Sequence, residues 1–168
     1  MTRINVVPPA ELSDQHLLAE YREIQRIPAA LEKSLRAHGG VTDAVVAKIP
    51  KAYCVGSGHV YFFYNKGTFL RNRFAALCKE MAKRGMQVRY TVYDPQGKMH
   101  APCWSGTYKA TKEARALNQT RLRARWSEKP QWYRWTQPSQ RPNWISLPSA
   151  STPRSTGAER VGSDEAGC

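Results

Sequence analysis

The chain has 168 residues, with 26 Lys and Arg against 13 Asp and Glu, a net charge of +13. That length predicts one domain with a closed hydrophobic core, and its apolar runs are far too short to cross a bilayer, so no membrane partner is expected. Four cysteines (Cys54, Cys78, Cys103, Cys168) lack any C-x-x-C pair and four histidines (His16, His38, His59, His100) lack ligand spacing, which speaks against a disulfide framework and a metal centre.

In chain order, the opening stretch MTRINVVPPAEL places Ile4, Val6 and Val7 in an apolar run close to the first residue. Termini fray unless something ties them down, so this run predicts an anchored start. The stretch has neither a hydrophobic leader nor an Arg/Ser-rich transit pattern. The thiols are therefore expected to be reduced, and the expected location is the cytoplasm.

The segment DQHLLAEYREIQRIPAALEKSLRAHGG predicts the first helix, capped by Ser13 or Asp14 and stopped at Gly39-Gly40. Leu17, Tyr21, Ile24, Leu31 and Leu35 form its inward stripe. Pro28 is expected to kink or split it near Ile27. Gly56 and Gly58 then allow a turn before the buried-looking VYFFY. A second helix is predicted from about Lys66 to Arg84, with Leu70, Phe74, Leu77 and Met81 inward, Asn65 as cap and Gly85 as terminator. QVRYTVY reads as one short strand at most. A third helix is predicted from about Thr111 to Glu128, ended by Pro130. The expected fold is mostly α: a compact single domain of three main helices with little or no sheet.

From Thr136 the composition changes. Sixteen of the last 33 residues are Ser, Pro, Thr or Gly, and three arginines there balance three acids. Such a segment is too poor in apolar groups to offset its ordering entropy, so 136–168 is expected to be a disordered tail. The whole excess charge then falls on a folded unit, 1–135. That predicts a polyanionic partner, nucleic acid foremost, against the alternative of a basic surface kept for solubility.

Three clusters carry candidate chemistry. His16, Glu20 and Glu23 share one face of the first helix, with Arg22 and Arg26 on the adjoining face. The two glutamates read either as acids balancing those arginines on a solvated surface or as catalytic groups. On the third helix Arg115, Arg121, Arg123 and Arg125 crowd within three turns, a repulsion that a phosphate backbone would relieve. In KPQWYRW, Trp132, Tyr133 and Trp135 interleave with Arg134, which suits base stacking beside phosphate contacts and equally suits an aromatic cap on the core.

Taken in order, MTRIN, LSDQHLLAEYRE, GSGHVYFFYNK, FLRNR, CKEMAKRG, NQTRLRARWSEKP and QWYRW resemble the pyrimidine-dimer DNA glycosylases of the endonuclease V type. The resemblance covers roughly residues 1–135. It implies an α-helical repair enzyme that is also an abasic-site lyase, acts on duplex DNA containing pyrimidine dimers or abasic sites, uses no cofactor and is expected to be a monomer. It further implies that Met1 is removed and that the Thr2 α-amine is the nucleophile. The catalytic glutamate falls on Glu23, and the residues gripping the lesion strand fall on Arg3, Gln15, Arg22 and Arg26. His16, Arg121, Arg125, Trp132, Tyr133 and Arg134 complete the expected DNA-binding set. Gln25 departs from the family's usual Pro, and Pro28 follows three residues on.

A terminal amine suits this role chemically. With an unperturbed pKa of about 7.7–8.0 it is roughly a fifth to a third neutral at pH 7.4, against about 0.1% of an unperturbed Lys. Arg3, Arg22 and Arg26 nearby would lower its pKa further. Two other classes stay open: a non-enzymatic basic DNA-binding module, against which Thr2 and Glu23 both argue, and an RNA-binding protein, for which only KPQWYRW speaks. Within the enzyme class, a lyase with a different lesion preference is the alternative.

Overall fold

The structure, a computed structural model, describes residues 4–93 and 105–146. Thr2, Arg3, His100, Cys103 and the stretch 147–168 lie outside the described residues. Six α-helices are described: α1 (Asp14–Glu23), α2 (Arg26–Ala37), α3 (Asp43–Ala47), α4 (His59–Phe62), α5 (Gly67–Lys83) and α6 (Lys112–Glu128). The mostly α expectation holds, and no strand occurs among the described residues.

Ser13 caps α1, its hydroxyl accepting the His16 N–H at 3.3 Å. The first predicted helix is two helices, and the break lies at Ile24-Gln25 rather than near Ile27. Pro28 is the third residue of α2, a first-turn position whose missing N–H costs no intrahelical bond. The Ile24 carbonyl, which Pro28 cannot serve, accepts instead from Ile27 N–H at 3.3 Å and from the Tyr93 hydroxyl at 3.3 Å. Gly39 and Gly40, both with positive φ, end α2 as expected.

The inward stripes meet in one core. Leu17, Tyr21 and Ile24 of α1, Leu31 and Leu35 of α2, and Leu70, Phe74, Leu77 and Met81 of α5 are all buried. Tyr21 stacks on Phe74 with centroids 5.4 Å apart. VYFFY becomes α4 and the turn after it, burying Phe62, Phe63 and Tyr64. QVRYTVY forms no strand because no neighbour offers it a ladder; tyrosine hydroxyls hold it instead. Tyr90 N–H donates to the Tyr21 hydroxyl at 2.7 Å, and that hydroxyl donates to the Tyr90 carbonyl at 3.1 Å. Asn65 does not cap α5, since its side-chain oxygen accepts from Lys66 Nζ. The Thr68 N–H of the first turn is satisfied by the Gly106 carbonyl at 3.2 Å, and a Cβ at position 106 would collide with the Asn65 carbonyl.

The expected tail from Thr136 needs correction for residues 136–146, which pack onto the body. Ile145 is buried and Trp144 packs against the core. Trp144 Nε1–H donates to Glu11 at 2.7 Å, Arg123 Nε–H donates to the Trp144 carbonyl at 2.9 Å, and Gln140 donates to Glu80 at 3.0 Å. The composition hid this because one Trp-Ile pair supplies the apolar area. Burying an Ile stabilises by about 1.5–3 kcal/mol. A chain ending at Trp135 should therefore melt roughly 5–10 °C below one ending at Ser146, as followed by circular dichroism. Equal melting temperatures would show that the segment contributes nothing to the fold.

Candidate active site

The segment Ile4–Val7 lies almost wholly inside the protein, in neither helix nor strand, so its backbone groups must find side chains. All four N–H groups do. Ile4 N–H donates to His59 Nε2 at 2.9 Å, Asn5 N–H to Glu20 Oε1 at 3.0 Å, and Val6 and Val7 N–H to Asn118 Oδ1 at 2.7 and 3.2 Å. The Tyr53 hydroxyl donates to the Ile4 carbonyl at 3.1 Å, and Arg73 Nη1–H to the Val7 carbonyl at 2.6 Å. Burial pushes the Tyr53 hydroxyl up to about 12, so it remains a donor at any working pH. The anchored start expected from Ile4, Val6 and Val7 is thus present, held by side chains of α1, α4, α5 and α6.

Glu20 is the hub. Its carboxylate is 1% exposed and takes a bidentate pair from Arg73, at 2.8 and 2.9 Å, together with both Asn5 donors. Four donors on one buried carboxylate make a fully satisfied charged network. The solvated-surface reading of Glu20 is therefore wrong: its opposite charge is on α5, not on Arg22 or Arg26. Asn118 Nδ2 and Arg121 Nη2 both donate to Asn5 Oδ1, at 2.9 and 2.6 Å, closing the network onto α6.

A small cavity of about 60 Å³ opens beside this network, walled by Asn5, His16, Glu20, His59, Arg121 and Arg125. Glu23 is half-buried one turn beyond Glu20, and Arg22 and Arg26 are exposed. A larger cavity of about 590 Å³ flanks the other side of α1, between Gln15, Tyr21, Arg22 and the stretch Met86–Tyr90. Gln15 Oε1 accepts the Arg134 N–H at 2.9 Å and so ties the aromatic segment to α1.

The aromatic cluster divides its roles. The Tyr133 ring stacks on His16 with centroids 4.4 Å apart, and Trp135 is half-buried, so these two cap the body; Trp132 is 61% exposed. Arg125 is exposed and pairs with Glu128 at 3.3 Å, whereas Arg121 turns inward to Asn5. Among the described residues no group of His, Cys, Asp and Glu could hold a metal ion, and no helix is long and apolar enough to cross a membrane.

The sequence model of the pyrimidine dimer DNA glycosylases matches residues 1–94. The chain belongs to that family. This pyrimidine dimer glycosylase is a DNA-repair enzyme, and DNA is its substrate. The match takes in Thr2, Arg3, Gln15, His16, Arg22, Glu23 and Arg26; Arg121, Arg125 and the segment 132–134 lie beyond it. Thr2 and Arg3 lie outside the described residues. Of the glycosylase's buried network, Asn5, Arg73, Asn118 and His59 had been assigned no functional role from the sequence. One signal was available: Arg73 stands on the Leu70, Phe74, Leu77 stripe and Asn118 between Ala114 and Leu122, polar residues on apolar faces.

Proposed function

We propose that the enzyme releases the base at the 5′ nucleotide of a cyclobutane pyrimidine dimer through its Thr2 α-amine, exposed by removal of Met1, and then nicks the strand as an abasic-site lyase. The observation that supports this most is the cradle of buried side chains around Ile4–Val7. A nucleophile carried on a chain terminus needs its last residues immobilised, and here every backbone N–H from residue 4 to 7 is engaged. Two residues of chain span at most about 7 Å, so an amine at position 2 is confined near the Ile4 end of that cradle.

The chemistry follows in balanced steps. The neutral amine attacks C1′, the C1′–N bond breaks, and its electron pair leaves with the base, which gains a proton. Glu23 stabilises the positive charge that develops on the sugar. The attached ammonium passes one proton to O4′ as the C1′–O4′ bond breaks, leaving a protonated imine at C1′; loss of a C2′ proton to Glu23 then expels the 3′ phosphate and cuts the strand. The amine supplies the electron sink itself, so no cofactor is required. Gln15, Arg22, Arg26, Arg125 and the exposed Trp132 bind and bend the duplex, and the 590 Å³ cavity beside Arg22 has room for a nucleotide turned out of the helix. The enzyme acts as a monomer, and bare abasic sites are also cut.

Glu23→Gln tests the assignment. Base release should fall at least about 100-fold, the range of a lost general acid–base group. Affinity for dimer-containing duplex should stay within about threefold, because only transition-state interactions are removed. A parallel loss of binding would make Glu23 a structural residue.

A further inference from the structure

The buried network contains one group whose protonation state decides whether it can hold the chain at all. His59 is 1% exposed and sits between two backbone groups of fixed polarity. Its Nδ1 is 2.7 Å from the Cys54 carbonyl, which can only accept, and its Nε2 is 2.9 Å from the Ile4 N–H, which can only donate. The ring is therefore the neutral Nδ1–H tautomer, with Nε2 as acceptor. Tyr53 and Phe63 meet it edge-on at 5.5 and 5.3 Å, leaving the ring no second orientation. Of the cradle's described contacts to backbone N–H groups, this is the one nearest the start of the chain.

We infer that His59 is a positioning residue for catalysis: neutral His59 fixes Ile4, and through it the terminal amine, at attack distance, and a protonated His59 releases them. The inference rests on the terminal-amine reading above. An imidazolium would aim an N–H at the Ile4 N–H, turning an attraction into a clash of two donors. The charged groups facing the ring are set against that proton. Arg121 and Arg125 of α6 wall the same cavity, while Glu20 of α1 is already engaged by Arg73 and Asn5; His16 and the neutral Tyr53 complete the surroundings. Burial first, and Arg121 second, hold His59 below its ordinary value of 6.5, opposed by the Cys54 hydrogen bond and Glu20. The sign is therefore clear: the clamp is still closed at the ordinary histidine value and opens only as pH falls further, through the depressed one.

Two variants test this in single-turnover cleavage of an abasic-site duplex at saturating enzyme. His59→Gln keeps an acceptor near the Nε2 position, and His59→Leu removes it. His59→Leu should react about 100-fold more slowly, the scale of a misplacement of 1 Å, with affinity for an uncleavable tetrahydrofuran-site duplex within about threefold. His59→Gln should recover the rate to within about tenfold of wild type. The pH dependence supplies a readout that a merely structural role would not move. As pH falls, log rate should first drop with a slope of one in both proteins, for the amine, and then, below the depressed His59 value, with a slope of two in the wild type and still of one in His59→Gln. Wild-type rate in His59→Leu, or a slope of one in the wild type down to the acid limit of folding, as in His59→Gln, would overturn the role of His59. Should His59→Leu fail to fold, the slopes decide. A wild-type borohydride adduct on a lysine would instead overturn the terminal-amine reading on which the inference rests.

Discussion

Arg73→Leu is expected to lower the unfolding free energy by about 3–5 kcal/mol, the cost of leaving one partner of a buried ion pair alone. Arg73 is 7% exposed and Glu20 1%, so bulk water does not replace the lost guanidinium, and the Val7 carbonyl also loses its donor. The effect should be read from urea unfolding. Glu20→Met combined with Arg73→Leu should recover part of the loss, since the stranded charge is gone. Full recovery is not expected, because Asn5 then lacks its acceptor. A single-variant loss below about 1 kcal/mol would mean that solvent or another cation reaches Glu20, and Ile4–Val7 would not be rigidly held.

The apolar stripes were legible in the sequence because period alone reveals them. Leu17, Tyr21, Leu70, Phe74 and Met81 are all buried where 3.6-residue spacing placed them. The cap at Ser13 and the stops at Gly39 and Gly85 follow equally from local chemistry. What stayed hidden depends on long-range pairing. Nothing local says that Glu20 meets Arg73, 53 residues on, rather than Arg22 beside it, or that Asn118 reaches back to Val6. The break at Ile24-Gln25 was misplaced because a proline within a helical pattern reads as a breaker, whereas it fits equally well in a first turn. Trp144 and Ile145 were overlooked because an averaged composition dilutes two anchoring residues among Ser and Pro. For the site itself, the match over residues 1–94 identifies the family, whereas the way Ile4–Val7 is held became visible only in three dimensions.

Adding one residue ahead of Thr2 should abolish both base release and strand cleavage. The amine would move by about 3.3–3.6 Å along the chain, and a displacement of even 1 Å costs on the order of 100-fold. The cradle cannot compensate, since Ile4 to Val7 are fixed by six hydrogen bonds from elsewhere in the fold. Binding to damaged duplex should survive, because the arginines of α1 and α6 are untouched. Thr2→Ser, which alters the side chain and leaves the amine, should stay active within about threefold. An extended chain that cleaves at the wild-type rate would rule out the terminal amine.

The most direct measurement is reduction by borohydride during turnover on an irradiated duplex, followed by peptide mapping of the trapped protein–DNA adduct. The account predicts a stable crosslink on the peptide that begins at Thr2, with Met1 absent from it. The chief rival is Lys66, whose amine burial pushes below its ordinary range. That ammonium is already committed, however, donating to the Phe62 carbonyl at 2.7 Å and lying 3.9 Å from the Phe62 ring centre. An adduct on Lys66 or any other lysine would contradict the terminal-amine mechanism.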